Sequence, residues 1–252
     1  MNTHFFYTLY ILWLRQIKRY FRSRSRIIGS LGQPILFLVA LGYGLGPIFA
    51  KAGGGNYLQF LAPGIIAMSI LFTAIFSGIE IIWDRQFGFL KETLVAPVSR
   101  FSIMLGRTLG GATVSIFQGI IVFIIAMIAG FRPDIADIIP ALLFMLGIAV
   151  VYTAFGTAIA SVLEDMQGFQ LIMNFLVMPT FFLSGALFPL DSLPPIIGFL
   201  VRINPLTYGV DGLRATLALS SHFNVWLDAG VLVVVSGIIL AIGAYLFSRI
   251  KA

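Results

Sequence analysis

The sequence predicts an all-α polytopic membrane protein with six transmembrane helices, an N-terminal interfacial helix, and re-entrant short helices between spans 5 and 6. Three observations carry that prediction. Hydrophobic residues make up 59% of the 252-residue chain and charged residues 10%, with a mean hydropathy of +1.01, whereas soluble domains carry about 25% charged residues. Apolar stretches of bilayer-crossing length, about 20 residues, recur along the chain. The stretch from Phe181 to Arg214 is just as apolar, yet Pro189, Pro194, Pro195 and Pro205 with Gly185, Gly198, Gly209 and Gly212 interrupt it too often for one helix to cross.

Residues 1–26 open the chain. Phe5, Phe6, Leu9, Leu12 and Trp13 fall near one helical face, and Arg15, Lys18, Arg19, Arg22, Arg24 and Arg26 follow. This reads as a helix lying in the membrane interface with its cations toward headgroups; a plain basic flank of the first span would put the segment on the same side. The basic cluster follows the apolar residues instead of preceding them, the reverse of a cleavable signal, so these residues are expected to remain in the mature protein. Six spans follow: Ile27 to Phe49, Leu58 to Ile82, Gly106 to Gly130, Ile138 to Leu163, Phe169 to Leu187 and Trp226 to Ser248. The glycines at 53–55 and the segment from Phe131 to Asp137 read as short external turns.

Basic residues set the orientation, because Lys and Arg concentrate in cytoplasmic loops. With both termini in the cytoplasm, twelve of the 16 Lys and Arg lie inside, and only Lys51, Arg132, Arg202 and Arg214 lie outside. The expected location is the cell membrane, multi-pass. A net charge of +6 placed beside hydrophobic spans points to anionic lipid headgroups as partners and not to nucleic acid.

Several chemistries are excluded. The chain has no cysteine, and His4 and His222 are its only histidines, too far apart for metal-ligand spacing. No nucleophile, base or metal set can be assembled at one depth, which argues against a membrane-embedded enzyme. Polar residues within spans are few: Gln118 and Asn174, with Glu80 near the end of span 2 and Glu164 and Asp165 after span 4. These carboxylates are expected to be snorkelling or interfacial groups. The rival reading, an ion-coupled secondary transporter working without an ATPase, calls for ionisable groups at mid-depth. No G-x-x-x-x-G-K-[ST] phosphate loop occurs in the sequence, so any ATP hydrolysis belongs to another polypeptide.

Two segments carry the functional signal. Residues 83–107 form the only substantial cytoplasmic connection, in which charged residues alternate with Phe87, Phe89, Leu90, Leu94 and Val95. That pattern predicts a short amphipathic helix bounded by Gly88 and Pro97, lying on the bilayer interface or on a cytoplasmic partner. Residues 188–225 form the external, proline-broken region. There Asp191 or Ser192 can cap a helix with Pro194 and Pro195 in its first turn, and Asn204 can cap another starting at Pro205. Broken backbone at membrane depth is tolerated only when buried in protein or lining a wet cavity, so both short helices are expected to dip in, packed on their own bundle. Asp211 and Arg214, three apart, can pair on one face as a structural clamp.

The run F-G-F-L-K-E-T-L-V-A-P-V-S-R at 87–100 resembles the cytoplasmic coupling segment of permease subunits of type-2 ATP-binding-cassette (ABC) exporters, the group of drug-resistance and nodulation-factor export permeases. The runs F-L-S-G-A-L-F-P-L-D-S-L-P at 182–194 and N-P-L-T-Y-G-V-D-G-L-R at 204–214 are similar to the same family's signature between spans 5 and 6, in the family's order and spacing. The resemblance covers essentially the whole chain as a single transmembrane domain, 1–252. It implies a non-enzymatic permease that pairs with a second permease, as a homodimer, and with a separate cytoplasmic ABC ATPase carrying ATP and Mg. Arg85, Phe87, Gly88, Lys91, Glu92, Leu94, Val95, Pro97 and Arg100 would couple to that ATPase. Gly185, Phe188, Pro189, Pro194, Asn204, Pro205, Tyr208, Asp211, Gly212 and Arg214 would form a re-entrant gate. An apolar route for an amphipathic, lipid-like or drug-like substrate would pass Phe72, Phe76, Asn174, Met178, Phe181 and Phe182.

Overall fold

Lipid offers a backbone no hydrogen-bond partner but itself, so apolar runs of this length must coil. The computed structural model describes residues 2–51, 55–95, 98–190 and 193–249, and these form helices with no strand among them. In chain order they are α1 (Asn2–Arg22), α2 (Arg24–Gly44), α3 (Gly46–Lys51), α4 (Tyr57–Ser77), α5 (Ile79–Gln86), α6 (Phe89–Val95), α7 (Arg100–Ile128), α8 (Ile138–Val162), α9 (Met166–Ile172), α10 (Met178–Phe182), α11 (Pro195–Ile203), α12 (Pro205–Leu217) and α13 (Val225–Ser248). Side chains of Asn56, Ser99, Asp165, Asn204 and Asn224 accept backbone N–H groups at the starts of α4, α7, α9, α12 and α13. Each such cap contributes about 1 kcal/mol.

Five helices among the described residues are long and apolar enough to cross a membrane: α2, the continuous pair α4 and α5, α7, α8 and α13. The fifth expected span differs. It is a helical segment from Met166 to Phe182, in which a π-helical stretch, Met173–Val177, joins α9 to α10. At 1.5 Å per residue it is about 25 Å long, short of the ~30 Å hydrocarbon core. Pro179 explains the wide turn: its ring would collide with the carbonyl four residues earlier, and widening the helix just before it relieves that clash. The segment stops at Phe182 and not at Leu187, because Ser184 N–H closes three residues back on Phe181 O and Gly185 turns the chain with φ +73°.

Apolar tails on every side give helices no hydrophobic reason to associate, so close contact of small residues has to hold them. Gly78 of the α4–α5 junction meets Gly156 of α8 backbone to backbone, and Gly111 of α7 lies against Ser77 and Thr153. The α4 span is the axis of the bundle: 83% of its apolar window is buried, against 17% for α2 and α13, whose open sides must face lipid or another chain.

α1 packs along the first half of α7. Leu9 and Leu12 fit against Gly106 and Gln16 against Gly110, Trp13 Nε1 donates to Thr113 Oγ1 (3.0 Å), and Tyr20 OH donates to Gln118 Oε1 (2.7 Å). The expected apolar face therefore divides. Leu12 is buried by α7, Phe5, Leu9 and Trp13 are half-buried and Phe6 is exposed, as are Tyr7, Tyr10 and Ile11, which lie outside that face.

Candidate functional site

The charged residues gather at the end of the bundle that holds α6. Glu80 and Asp84, one turn apart on α5, point the same way, as do Arg15 and Arg19 on α1. Asp84 accepts from Arg15 and from Arg107 of α7, both at 2.6 Å. Glu80 accepts from Arg26 at 3.1 Å, and Arg19 lies 3.5 Å from Glu80 and 3.7 Å from Asp84 while stacking over Trp83. Asp84, Glu80 and Arg107 are 2%, 3% and 4% exposed. This corrects the expectation for Glu80, which is a buried, paired carboxylate and not a snorkelling one. An ionised carboxylate in low dielectric costs several kcal/mol unless paired, and the basic run before span 1 supplies the partners. The sequence pattern assigns those arginines to headgroups and to orientation, and not to Glu80 or Asp84. The matched four-residue spacings on α1 and α5 were the available signal.

α6 hangs from this network. Gly88, at φ +80°, breaks the chain between α5 and α6, and Leu90 is buried. Phe87, Phe89 and Val95 stand 72%, 52% and 79% exposed, and Glu92 is exposed beside them. The side chains of Lys91 and Leu94, and Pro97 itself, lie outside the described residues. Arg100 is half-buried in the first turn of α7. Arg85 does not share the exposed face: it donates to Leu163 O (2.6 Å) and Ser161 O (2.7 Å), closing the last turn of α8.

At the other end, α12 is held by side chains that grip backbone. Asn204 accepts from Leu206 N–H and donates to Thr180 O (2.7 Å), tying the start of α12 to the end of α10. Pro205 occupies the first helical position, and Tyr208 OH donates to Arg202 O (2.6 Å). Gly209 and Gly212 lie flat on Ile148 and the Phe144 ring of α8. Asp211 and Arg214 form no ion pair with each other, contrary to their spacing. Asp211 accepts from the N–H groups of His222 and Phe223, while Arg214 donates to Gly185 O (2.9 Å) and stacks 3.9 Å over the Phe60 ring. Each clamps a different loop by pairing with that loop's backbone groups.

The first short helix departs from expectation. α11 starts at Pro195 with Pro194 before it and no side-chain cap; Asp191 and Ser192 lie outside the described residues. Only Val201 of α11 is buried, and Ile196, Phe199 and Ile203 are exposed, so α12 packs on its own bundle and α11 does not. Phe188 and Pro189 are exposed on the loop between. Asp228, in the first turn of α13, is fully buried and was not singled out by sequence.

The six route residues divide. Phe72 and Phe76 line a groove of about 610 Å³ between α2 and α4, with Arg26, Ser30 and Gln33 at its polar side and Met68 and Pro34 at its apolar side. Phe181 is buried edge-on against Phe72, their ring centres 6.3 Å apart, and Phe182 packs on Phe181. Met178 is half-buried, and Asn174 and Phe182 are exposed.

Membrane-length helices around a buried central span, with an ionic network at one end and packed short-helix structure at the other, define a multi-pass α-helical membrane protein. The profile of the ABC-2 type transporter family matches residues 7–218, so the chain belongs to that family and is an ABC-2 permease subunit. It is 30% identical over 229 residues, covering 87% of this chain and 78% of the relative, to a protein named putative transport permease ycf38 from Cyanophora paradoxa. It is 29% identical over 210 residues to Nodulation protein J from Rhizobium leguminosarum bv. viciae, covering 82% of this chain and 81% of the relative. Members of the family are membrane subunits of transporters and not ATPases, and membership implies an ABC ATPase partner.

Proposed function

We propose that this chain is the membrane-spanning subunit of an ATP-driven exporter in the cell membrane, both termini cytoplasmic, that moves an amphipathic, lipid-like or drug-like substrate. The observation that carries the reading is α6: a short helix at the basic end with Phe89 and Val95 uncovered, Phe87 uncovered just before it, and Leu90 anchored in the core. A separate ABC ATPase, holding ATP and Mg itself, docks on Phe87, Phe89 and Val95, with Lys91, Glu92, Leu94, Pro97 and Arg100 beside them. Movement of α6 passes through Leu90 and α5 to the ionic network and from there to α1 and α7. Arg85, through its bonds to Leu163 O and Ser161 O, keeps α5 and α8 moving together as the ATPase pushes.

Two copies pair through the open faces of α2 and of the segment from Met166 to Phe182, where Leu171, Phe175 and Phe182 are exposed. Substrate enters the amphipathic groove beside Phe72 and Phe76 and leaves past the α11–α12 region, which dips into the membrane from outside as the gate. Alternation between inward-facing and outward-facing forms follows closure of the ATPases.

Reconstitution tests this. The permease and its ATPase together should move substrate only with ATP, and a cysteine placed at Glu92 should react with impermeant maleimide only from the cytoplasmic side, one at Ser221 only from outside. Transport by the permease alone under an ion gradient would identify an ion-coupled carrier instead.

A further inference from the structure

A cleft of about 1150 Å³ opens between α1, the corner where α1 meets α2, and α6. Its walls carry Arg15, Lys18, Arg19, Arg22 and Arg24 against two acids, Asp84 and Glu92. Asp84 is already engaged by Arg15 and Arg107. Lys18, Arg22 and Arg24 are exposed and have no acidic partner among the described residues. Ser23 and Ser25 line the same corner and add hydroxyl donors. Several cations and hydroxyls converging on one space are the chemistry that holds a phosphate ester.

The same face of α1 has a second half. Tyr7, Ile11, Leu14, Lys18 and Arg22 fall on one stripe at three- and four-residue steps, so the stripe changes from apolar to cationic within a few turns. Ile11 and Leu14 enter the cleft, and Tyr7 extends the apolar side at the surface. A free phosphate would use only the cationic half. A phospholipid uses both.

We propose that this cleft is a binding site for an anionic phospholipid, the phosphate held by Lys18, Arg22 and Arg24 and an acyl chain lying along Tyr7, Ile11 and Leu14. Because Phe89, Glu92 and Thr93 of α6 form the opposite wall, the bound lipid touches both α1 and the segment assigned to the ATPase. In that respect the inference rests on the function proposed above, and anionic lipid would then set how firmly α6 is seated when the ATPase moves it. The binding itself does not depend on the ATPase.

The experiment is a native mass-spectrometric titration of the purified permease, without ATPase, with phosphatidylglycerol, phosphatidylcholine and inorganic phosphate. Wild type should prefer phosphatidylglycerol. Replacing Lys18, Arg22 and Arg24 together by Gln should weaken that binding about tenfold or more, given the contribution of each cation near an anionic headgroup. Arg132→Gln, a cation at the opposite end, should leave it unchanged. Ile11→Ser with Leu14→Ser should weaken phosphatidylglycerol while leaving any phosphate adduct untouched. The triple substitution spares Arg15, Arg19 and Arg26, so the ionic network stays intact, and an unchanged melting curve checks the fold. Equal affinity of the triple variant and wild type, equal affinity for the two lipids, or complete displacement by inorganic phosphate at millimolar concentration would each overturn the proposal, the last by assigning the site to free phosphate. Loss of ATPase capture in the triple variant with phosphatidylglycerol binding intact would overturn it in favour of a protein surface.

Discussion

The two ends of the bundle are held together by different chemistry. At the α6 end, side chains of α1, α2, α5 and α7 meet charge to charge, through Glu80, Asp84, Arg15, Arg19, Arg26 and Arg107. At the α12 end, Asn204, Asp211 and Arg214 grip backbone groups of neighbouring loops. A backbone grip specifies one geometry, since the loop cannot move without losing those hydrogen bonds. A shared ion network can pass one arginine between two carboxylates, as the position of Arg19 between Glu80 and Asp84 illustrates. The first suits a fixed frame and the second a joint that is pushed.

Substitutions can break this contrast. The largest effect should come from Asp84→Ala, which strands Arg107 as a buried unpaired cation and should cost about 3–5 kcal/mol, read by denaturant unfolding in micelles. Removing Arg107 as well, with Asp84→Ala and Arg107→Met together, should recover more than half of that loss. Arg214→Ala comes next, at about 2–3 kcal/mol for a charged hydrogen bond and a ring contact. Hydrogen exchange should quicken at 184–190 and stay unchanged in α1. If both ends loosen together in either variant, they are not the independent joints described here. Gly185→Ala should cost about 1–2 kcal/mol, because a Cβ at φ +73° is strained. The smallest change in stability, within about 0.5 kcal/mol, should follow from Phe87→Ser, Phe89→Ser and Val95→Ser together, since those side chains pack on little. ATPase capture, measured by co-purification, should nevertheless be lost.

How much was legible in the sequence follows the same division. The long spans could be read because lipid imposes composition and length on each segment separately. The start of α12 could be read because Asn204 and Pro205 are neighbours and a cap is local. The ionic network was not, since Arg15 reaches Asp84 across 69 residues of chain and only the folded packing of α1 on α7 brings them together. Local spacing even misled at Asp211 and Arg214: three residues apart on one helix they could pair, but unsatisfied backbone in two loops claims each of them. The shortened fifth segment had a visible cause in Pro179, whose effect depended on how the helix before it would give way.

On the function proposed above, α6 is where a separate ATPase engages the permease. The chain has no native cysteine, so a single cysteine reports one position. Site-directed crosslinking of Phe89→Cys on α6 and Phe199→Cys on α11, in membranes containing the ATPase, tests the claim directly. A permease–ATPase adduct from position 89 that changes with ATP, and none from position 199, is the predicted result. An active transporter with no adduct at 89, or with an adduct at 199, would contradict it.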